Sequence, residues 1–375
     1  MMKILVAYGT RPEAIKMAPV IRALRARPEI FEVTVCATAQ HRQMLDQVHQ
    51  VFGLKADIDL DLMRPDQTLN GLISRCFGGV DEVLADVAPD WVLVQGDTTT
   101  AMAVAIAAFH RGIRVGHVEA GLRTGDLQHP FPEEANRRII DVFADALFSP
   151  TSASAYALRS EDASTERIHI TGNTGIDALL QVAGLEPDRK AEGEILITVH
   201  RRESFGEPIR EIFHAIRELA ERFPGFRWVY PVHRNPNVRQ AADEVLKGHR
   251  NLELHEPFDY LEMVRRIRSA RLILTDSGGI QEEAPTFGKP VLVLRRTTER
   301  PEGVEAGVAR LVGTDRTAIV AETTRLLTDE SAYHSMVSGA NPYGDGKAAE
   351  RIADILSGKP YEPFRFLAED QREQP

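Results

Sequence analysis

Short apolar runs recur in the first half of the chain, at residues 4–8, 33–37, 91–94, 115–118 and 146–148. Runs of this length without polar alternation predict strands buried on both faces, as in a parallel sheet. The stretches between them, 14–27, 41–52, 69–86 and 99–111, return apolar residues at helical spacing, so this half reads as a repeating βα unit of the doubly wound type. A second series covers 195–199, 228–232, 251–254, 272–275, 291–294 and 309–312. The pattern predicts an α/β protein of two doubly wound, Rossmann-like domains facing a cleft, residues 1–170 and 171–346. Thr171-Gly172-Asn173-Thr174-Gly175 and the polar stretch 185–193 read as the hinge region. Ligands of open α/β sheets sit beyond the carboxyl ends of the strands, so chemistry is expected at the strand-to-helix junctions.

Composition narrows the class. The chain has 375 residues, 43% hydrophobic and 27% charged, which suits about two globular domains. A formal net charge of −10 has the wrong sign for a protein that lives on a phosphate backbone, so nucleic acid is not an expected partner. Two cysteines, Cys36 in an apolar run and Cys76, cannot staple so long a chain and point to a reducing, cytoplasmic compartment. No run reaches the ~18 apolar residues of a membrane span. The opening Met1-Met2-Lys3 leads directly into a strand, so no signal peptide is expected either.

The first junction reads Gly9-Thr10-Arg11-Pro12-Glu13-Ala14-Ile15-Lys16. It is no dinucleotide fingerprint: in place of several glycines it offers one, then a guanidinium and an ammonium. Arg11 and Lys16 read as holders of an anion, or as solvated helix charges, although an Arg in a first turn opposes the helix dipole. The junction Thr275-Asp276-Ser277-Gly278-Gly279-Ile280-Gln281-Glu282-Glu283 reads as strand, small-residue turn and helix. Ser277 is expected to cap that helix, and Gly278 and Gly279 to let a diphosphate approach free N–H groups. Glu283, roughly 9 Å further along the axis, can accept from a ribose diol. Arg300, in the loop Thr297-Thr298-Glu299-Arg300-Pro301, is placed to close over the phosphates. A plain N-cap followed by acidic residues would explain Ser277 and one Glu, but not both glycines.

Carboxylates recur at junctions of the first half: Asp97 after 91–94, Glu119 after 115–118, and Glu133 at a helix start after Pro130-Phe131-Pro132. Capping alone accounts for Asp97 or Glu133 taken singly. Three acids at such places instead suggest a set whose titrations are split between base and acid. His200, at the first strand end of the second half, can hold or protonate a departing phosphate, with Arg201 and Arg202 adding positive field. His233 ends the next strand similarly. Spacing gives no metal-ligand pair, so no metal is expected.

Together these motifs resemble the non-hydrolysing UDP-N-acetylglucosamine 2-epimerases, over segments including 9–19, 96–100, 116–126, 132–137, 171–179, 200–205, 275–285, 297–301 and 341–346. The resemblance implies a glycosyltransferase-B-like fold, a homodimer, and neither metal nor nicotinamide cofactor. It also implies that residues 347–375, with a helix near 348–356, cross back to the first domain. Acid/base roles fall on Asp97, Glu119 and Glu133, phosphate contacts on Arg11, His200, Ser277, Gly278, Gly279 and Arg300, and a ribose contact on Glu283. Met263 stands near the uracil where relatives often have Phe, Arg296 replaces an acid common there, and Asp66 occupies a position basic in some relatives. The implied reaction converts UDP-GlcNAc to UDP-ManNAc by elimination of UDP and its re-addition, supplying surface-polysaccharide precursors. Some relatives place a second, activating UDP-GlcNAc at positions matching Gln40, Gln43 and His233.

Three other functions fit parts of this pattern. A glycosyltransferase of the same architecture would need an acceptor, a hydrolysing epimerase would release free UDP and N-acetylmannosamine, and a nucleotide-sugar sensor would bind without turnover.

Overall fold

The structure, a computed structural model, describes residues 1–38, 42–64, 67–185, 193–337 and 340–366. Strands β1 (Met2–Tyr8), β2 (Phe31–Ala37), β3 (Ile58–Asp59), β4 (Trp91–Gln95), β5 (Arg114–Val118), β6 (Ala146–Ser149) and β7 (Ile168–Ile170) form one sheet in the order β3-β2-β1-β4-β5-β6-β7. Strands β8 (Glu194–Thr198), β9 (Arg227–Pro231), β10 (Leu252–His255), β11 (Ala270–Thr275), β12 (Val291–Val293) and β13 (Ala309–Leu311) form the other, ordered β10-β9-β8-β11-β12-β13. The pairings are parallel, as βαβ crossovers require. The fold is therefore α/β with two parallel sheets.

Burial on both faces explains the apolar runs. In the second sheet Ile195 and Ile197 join one core cluster with Trp228, Tyr230, Leu272 and Leu274, while Leu196 and Ile273 join another with Ile267, Ile280 and Ala284. Alternate residues of one strand thus serve opposite layers of helices. In the first sheet Leu5, Ala7, Val92 and Val94 pack against the helices Leu69–Val87 and Thr99–His110.

The chain divides into two compact units, Met1–Val182 with Tyr343–Arg365, and Ala183–Pro342 with Phe366–Pro375. The first boundary lies twelve residues beyond the one read at 170/171, because the helix Thr174–Ala183 packs into the first unit. Its Asp177 accepts the Ala349 N–H at 2.8 Å, at the start of the helix Ala348–Leu356, and a Cβ on Gly346 would come within 2.5 Å of Leu180 Cδ1. Residues 186–192 of the expected hinge lie outside the described residues.

Burial pushes the Asp177 carboxyl up to about 7. A carboxyl raised in the folded state binds its proton there more tightly than in the unfolded chain. Its stabilising contribution is therefore complete below the ordinary carboxylate range and is lost as pH rises through about 7. Thermal unfolding is expected to show Tm falling by about 5 °C from about pH 5 to about pH 8, with a shallower fall in Asp177→Asn. An equally steep fall in the variant would assign the effect elsewhere.

Candidate functional site

Each sheet reverses its strand order at one place, between β1 and β4 in the first and between β8 and β11 in the second. Connections leave such a point in opposite directions and open a crevice at the carboxyl ends of the strands. The junctions singled out by sequence flank these two points: Gly9 and Asp97 follow β1 and β4, while His200 and Ser277 follow β8 and β11.

In the first unit four junctions are tied to one another. Glu119, 9% exposed, accepts from Lys16 Nζ at 2.5 Å and from Gln95 Nε2 at 2.6 Å. Its φ of +69° is a left-handed conformation that a side chain rarely adopts, and such strain concentrates at functional positions. Asp97 accepts from Arg137 Nη2 at 2.5 Å, and its carbonyl from Asn136 Nδ2 at 2.9 Å. Both partners lie on the helix Glu133–Phe143, which Glu133 opens. Pro132 stands at the N-cap position of that helix. Glu133 Oε2 is buried and accepts no hydrogen bond from any described residue. Capping of the helix Thr99–His110 falls to Thr98, whose hydroxyl accepts the Ala101 N–H at 3.0 Å, so the Asp97 carboxylate is not spent on it.

Glu13 is the member that sequence reading passed over. It is buried, and its carboxylate accepts from Gly9 N at 3.2 Å, Thr10 N at 2.7 Å and Thr98 Oγ1 at 2.8 Å. Burial pushes its carboxyl up, against those bonds. The spacing Thr10-x-x-Glu13 is a capping-box signature and was the available signal. Lys16 is engaged by Glu119, so it is no freely solvated helix charge, whereas the Arg11 guanidinium has no hydrogen bond or ion pair to a described residue.

In the second unit Asp276, fully buried, organises two junctions. Its Oδ2 accepts from His200 N at 2.7 Å and Arg201 N at 2.8 Å, and its Oδ1 lies 3.2 Å from His200 Nδ1. The His200 ring stacks on His233 at 5.4 Å and 18° between planes. Burial lowers the His200 pKa, Asp276 opposes that shift, and His233 adds to it.

The expectation that Ser277 caps its helix is not met. It occupies the N-cap position without a side-chain capping bond, and its own N–H donates to Thr275 Oγ1 at 2.9 Å. The Thr275 hydroxyl closes the turn instead. The two glycines also differ. A Cβ on Gly278 would lie 2.9 Å from the Arg300 guanidinium carbon, so that glycine makes room for Arg300, while nothing stands within 4 Å of a Cβ on Gly279. Arg300 is held by Glu282 Oε1 at 2.8 Å. Arg295, buried between Glu203 and Glu299, ties the His200 loop to the Arg300 loop, a link sequence reading did not find. Glu283 ends the helix Gly278–Glu283, half-buried. Met263, on the helix Tyr260–Ser269, packs against the core cluster of Leu196, Ile273 and Ile280.

Gln40, Asp66 and the side chain of Gln43 lie outside the described residues, so His233 alone of the activator trio is placed. Its Nδ1 accepts the Asn235 N–H at 3.1 Å. Among the described residues no group of three His, Cys, Asp or Glu side chains could hold a metal ion, and no helix is long and apolar enough to cross a membrane.

A family model described as UDP-N-acetylglucosamine 2-epimerase matches residues 22–357. The chain is 52% identical over 373 residues to the UDP-N-acetylglucosamine 2-epimerase of Escherichia coli (strain K12), with 95% of this chain and 98% of that protein covered. It is similar to the crystal structure of UDP-GlcNAc 2-epimerase from Neisseria meningitidis bound to UDP-GlcNAc, with a TM-score of 0.89 and 46% identity over 96% of this chain and all of that one. The glycotransferase of kitacinnamycin, only 15% identical, shares the fold alone at a TM-score of 0.67, covering 95% of this chain and 98% of its own, which makes the architecture glycosyltransferase-B-like.

Proposed function

The chain belongs to the UDP-N-acetylglucosamine 2-epimerase family and is an isomerase with that activity, and on this premise we propose that it interconverts UDP-GlcNAc and UDP-ManNAc by anti elimination and re-addition of UDP. A base removes the C2 proton, the C1–O bond to UDP breaks with its electron pair leaving on the diphosphate, and a C1=C2 double bond forms in 2-acetamidoglucal. UDP then adds back to C1 while an acid delivers a proton to the other face of C2. Two proton-transfer groups are needed, one for each face.

The observation that carries this reading is the set of three carboxylates in the first unit with three different surroundings. Glu119 is bound by an ammonium and an amide, Asp97 by a guanidinium, and Glu133 keeps a buried oxygen with no partner among the described residues. A set differentiated in this way can divide the work of base and acid. The diphosphate falls to the second unit, where the Ser277 hydroxyl is not used as a cap, Gly279 leaves its backbone open and Arg300 is fixed beside Gly278. With His200, these groups stabilise the charge that grows on departing UDP, and Arg11 is a further phosphate contact. Glu283 and Met263 take the ribose and uracil. We further propose a homodimer working in the cytoplasm, with UDP-ManNAc entering surface-polysaccharide synthesis. Side chains supply the charge partners in this scheme, with no metal or nicotinamide.

In heavy water, with UDP-GlcNAc as sole substrate, product and recovered substrate are expected to carry deuterium at C2 by proton NMR. Epimerisation without exchange at C2 would overturn elimination. Free UDP with N-acetylmannosamine would mean a hydrolysing enzyme, and no reaction until an acceptor is added would mean a transferase.

A further inference from the structure

The three candidate carboxylates stand on separate segments, and one buried side chain touches the supports of all three. His117, in β5, has no exposed surface. Its Nδ1 is 2.6 Å from Asp141 Oδ1, and its Nε2 is 2.7 Å from the Gly96 carbonyl oxygen. Gly96 directly precedes Asp97 and adopts φ +70°, a turn conformation that suits glycine. Asp141 sits two turns along the helix that Glu133 opens. Its other oxygen accepts the Gly121 N–H at 3.3 Å and pairs with Arg123 Nη2 at 2.8 Å, both in the segment just after Glu119.

Counting donors fixes the charge of this ring. A carbonyl oxygen can only accept, and so can an ionised carboxylate. Asp141 is ionised: apart from His117, its Oδ2 pairs with the Arg123 guanidinium and accepts the Gly121 N–H, an arrangement that suits a carboxylate. Acceptors at both ring nitrogens call for two N–H groups. A neutral ring would turn a lone pair onto one of these oxygens at hydrogen-bond distance, with no surface through which water could relieve it.

We propose that His117 is a positioning residue for the epimerisation, a buried imidazolium that clamps the Gly96 carbonyl and the Asp141 carboxylate and so sets the places of Asp97, Glu119 and Glu133 together. It reaches no reacting atom. The inference rests on the acid/base reading of those carboxylates, and it explains why a wholly enclosed histidine stands two positions before one of them. Uncharged replacements cannot copy the clamp, because Gln or Asn presents both amide hydrogens from one nitrogen and so cannot serve acceptors on opposite sides of a ring.

The direct test is NMR of the wild-type enzyme with 15N-labelled histidine. Both His117 ring nitrogens are expected to carry a proton in the folded enzyme, and a ring with one proton overturns the proposal. In His117→Gln, kcat is expected to fall about 100-fold with KM for UDP-GlcNAc within about two-fold, as when catalytic groups are misplaced while binding survives. An unchanged kcat, or a loss confined to KM, also overturns it. Should the variant not fold, the wild-type measurement still decides. A doubly protonated ring in a wild-type enzyme that shows no C2 exchange would instead count against the acid/base reading.

Discussion

Glu119→Gln is expected to lose about 10²- to 10⁴-fold in turnover while still binding UDP within about two-fold of wild type, since proton transfer supplies factors of that size. The substitution keeps the shape of the side chain and removes its charge. It also leaves the Lys16 ammonium without the carboxylate 2.5 Å away, and breaking a buried pair from one side costs stability. Lys16 retains 19% of its side-chain exposure, which moderates that cost. The double variant Lys16→Met, Glu119→Gln separates the two effects: it should regain thermal stability without regaining turnover. A steady-state assay of UDP-ManNAc formation beside calorimetric UDP titration provides the readout. Near-normal turnover in the single variant would remove Glu119 from the acid/base set.

Gly121→Ala is expected to be the most damaging single-atom change near the site, for reasons independent of catalysis. Gly121 has φ +87°, and a Cβ there would lie 2.3 Å from the Ser154 carbonyl oxygen and 2.9 Å from Leu158 Cγ. Ser154 belongs to the helix Ser152–Ser160, so its backbone cannot step aside without unpacking Leu158, which is buried. Strain and overlap together should destabilise the unit by about 3 kcal/mol or more, which heat-scanning calorimetry would register as a clear drop in Tm. Gly78→Ala is the control. It lies inside the helix Leu69–Val87 with nothing within 4 Å of a new Cβ, and should stabilise by roughly 0.5–1 kcal/mol. Similar Tm changes in both variants would refute the steric argument.

Most of the fold could be read in advance because parallel strands buried on both faces leave unmistakable apolar runs, as at Val92 to Val94 or Ile195 to Ile197. The strands that escaped were β3 and β7, two and three residues long at the sheet edges, where Asp59 and His169 interrupt any run. Asp97, Glu119, His200 and Ser277 were conspicuous for the same local reason, since each stands just past a strand. Their pairings were not. Lys16 meets Glu119 across 103 positions and Asp97 meets Arg137 across 40, and no window of sequence contains both members. Gly278 was recognisable as a glycine that matters, but its reason, Arg300, comes from a loop beyond another strand. The fate of Ser277 turned on the Thr275 hydroxyl, which offers the turn an alternative that helix-capping rules do not weigh.

The buried Glu13 carboxylate joins the loop after β1 to the loop after β4 through two amides and a hydroxyl. Those groups are ordered when the polypeptide folds, not when a ligand arrives. The conformational entropy of the Arg11 and Asp97 loops is thus already surrendered in the free enzyme, and little of a substrate's binding energy has to be diverted to organising them. Amide hydrogen exchange at Gly9 and Thr10 should accordingly be slow without ligand and change little when UDP-GlcNAc is added.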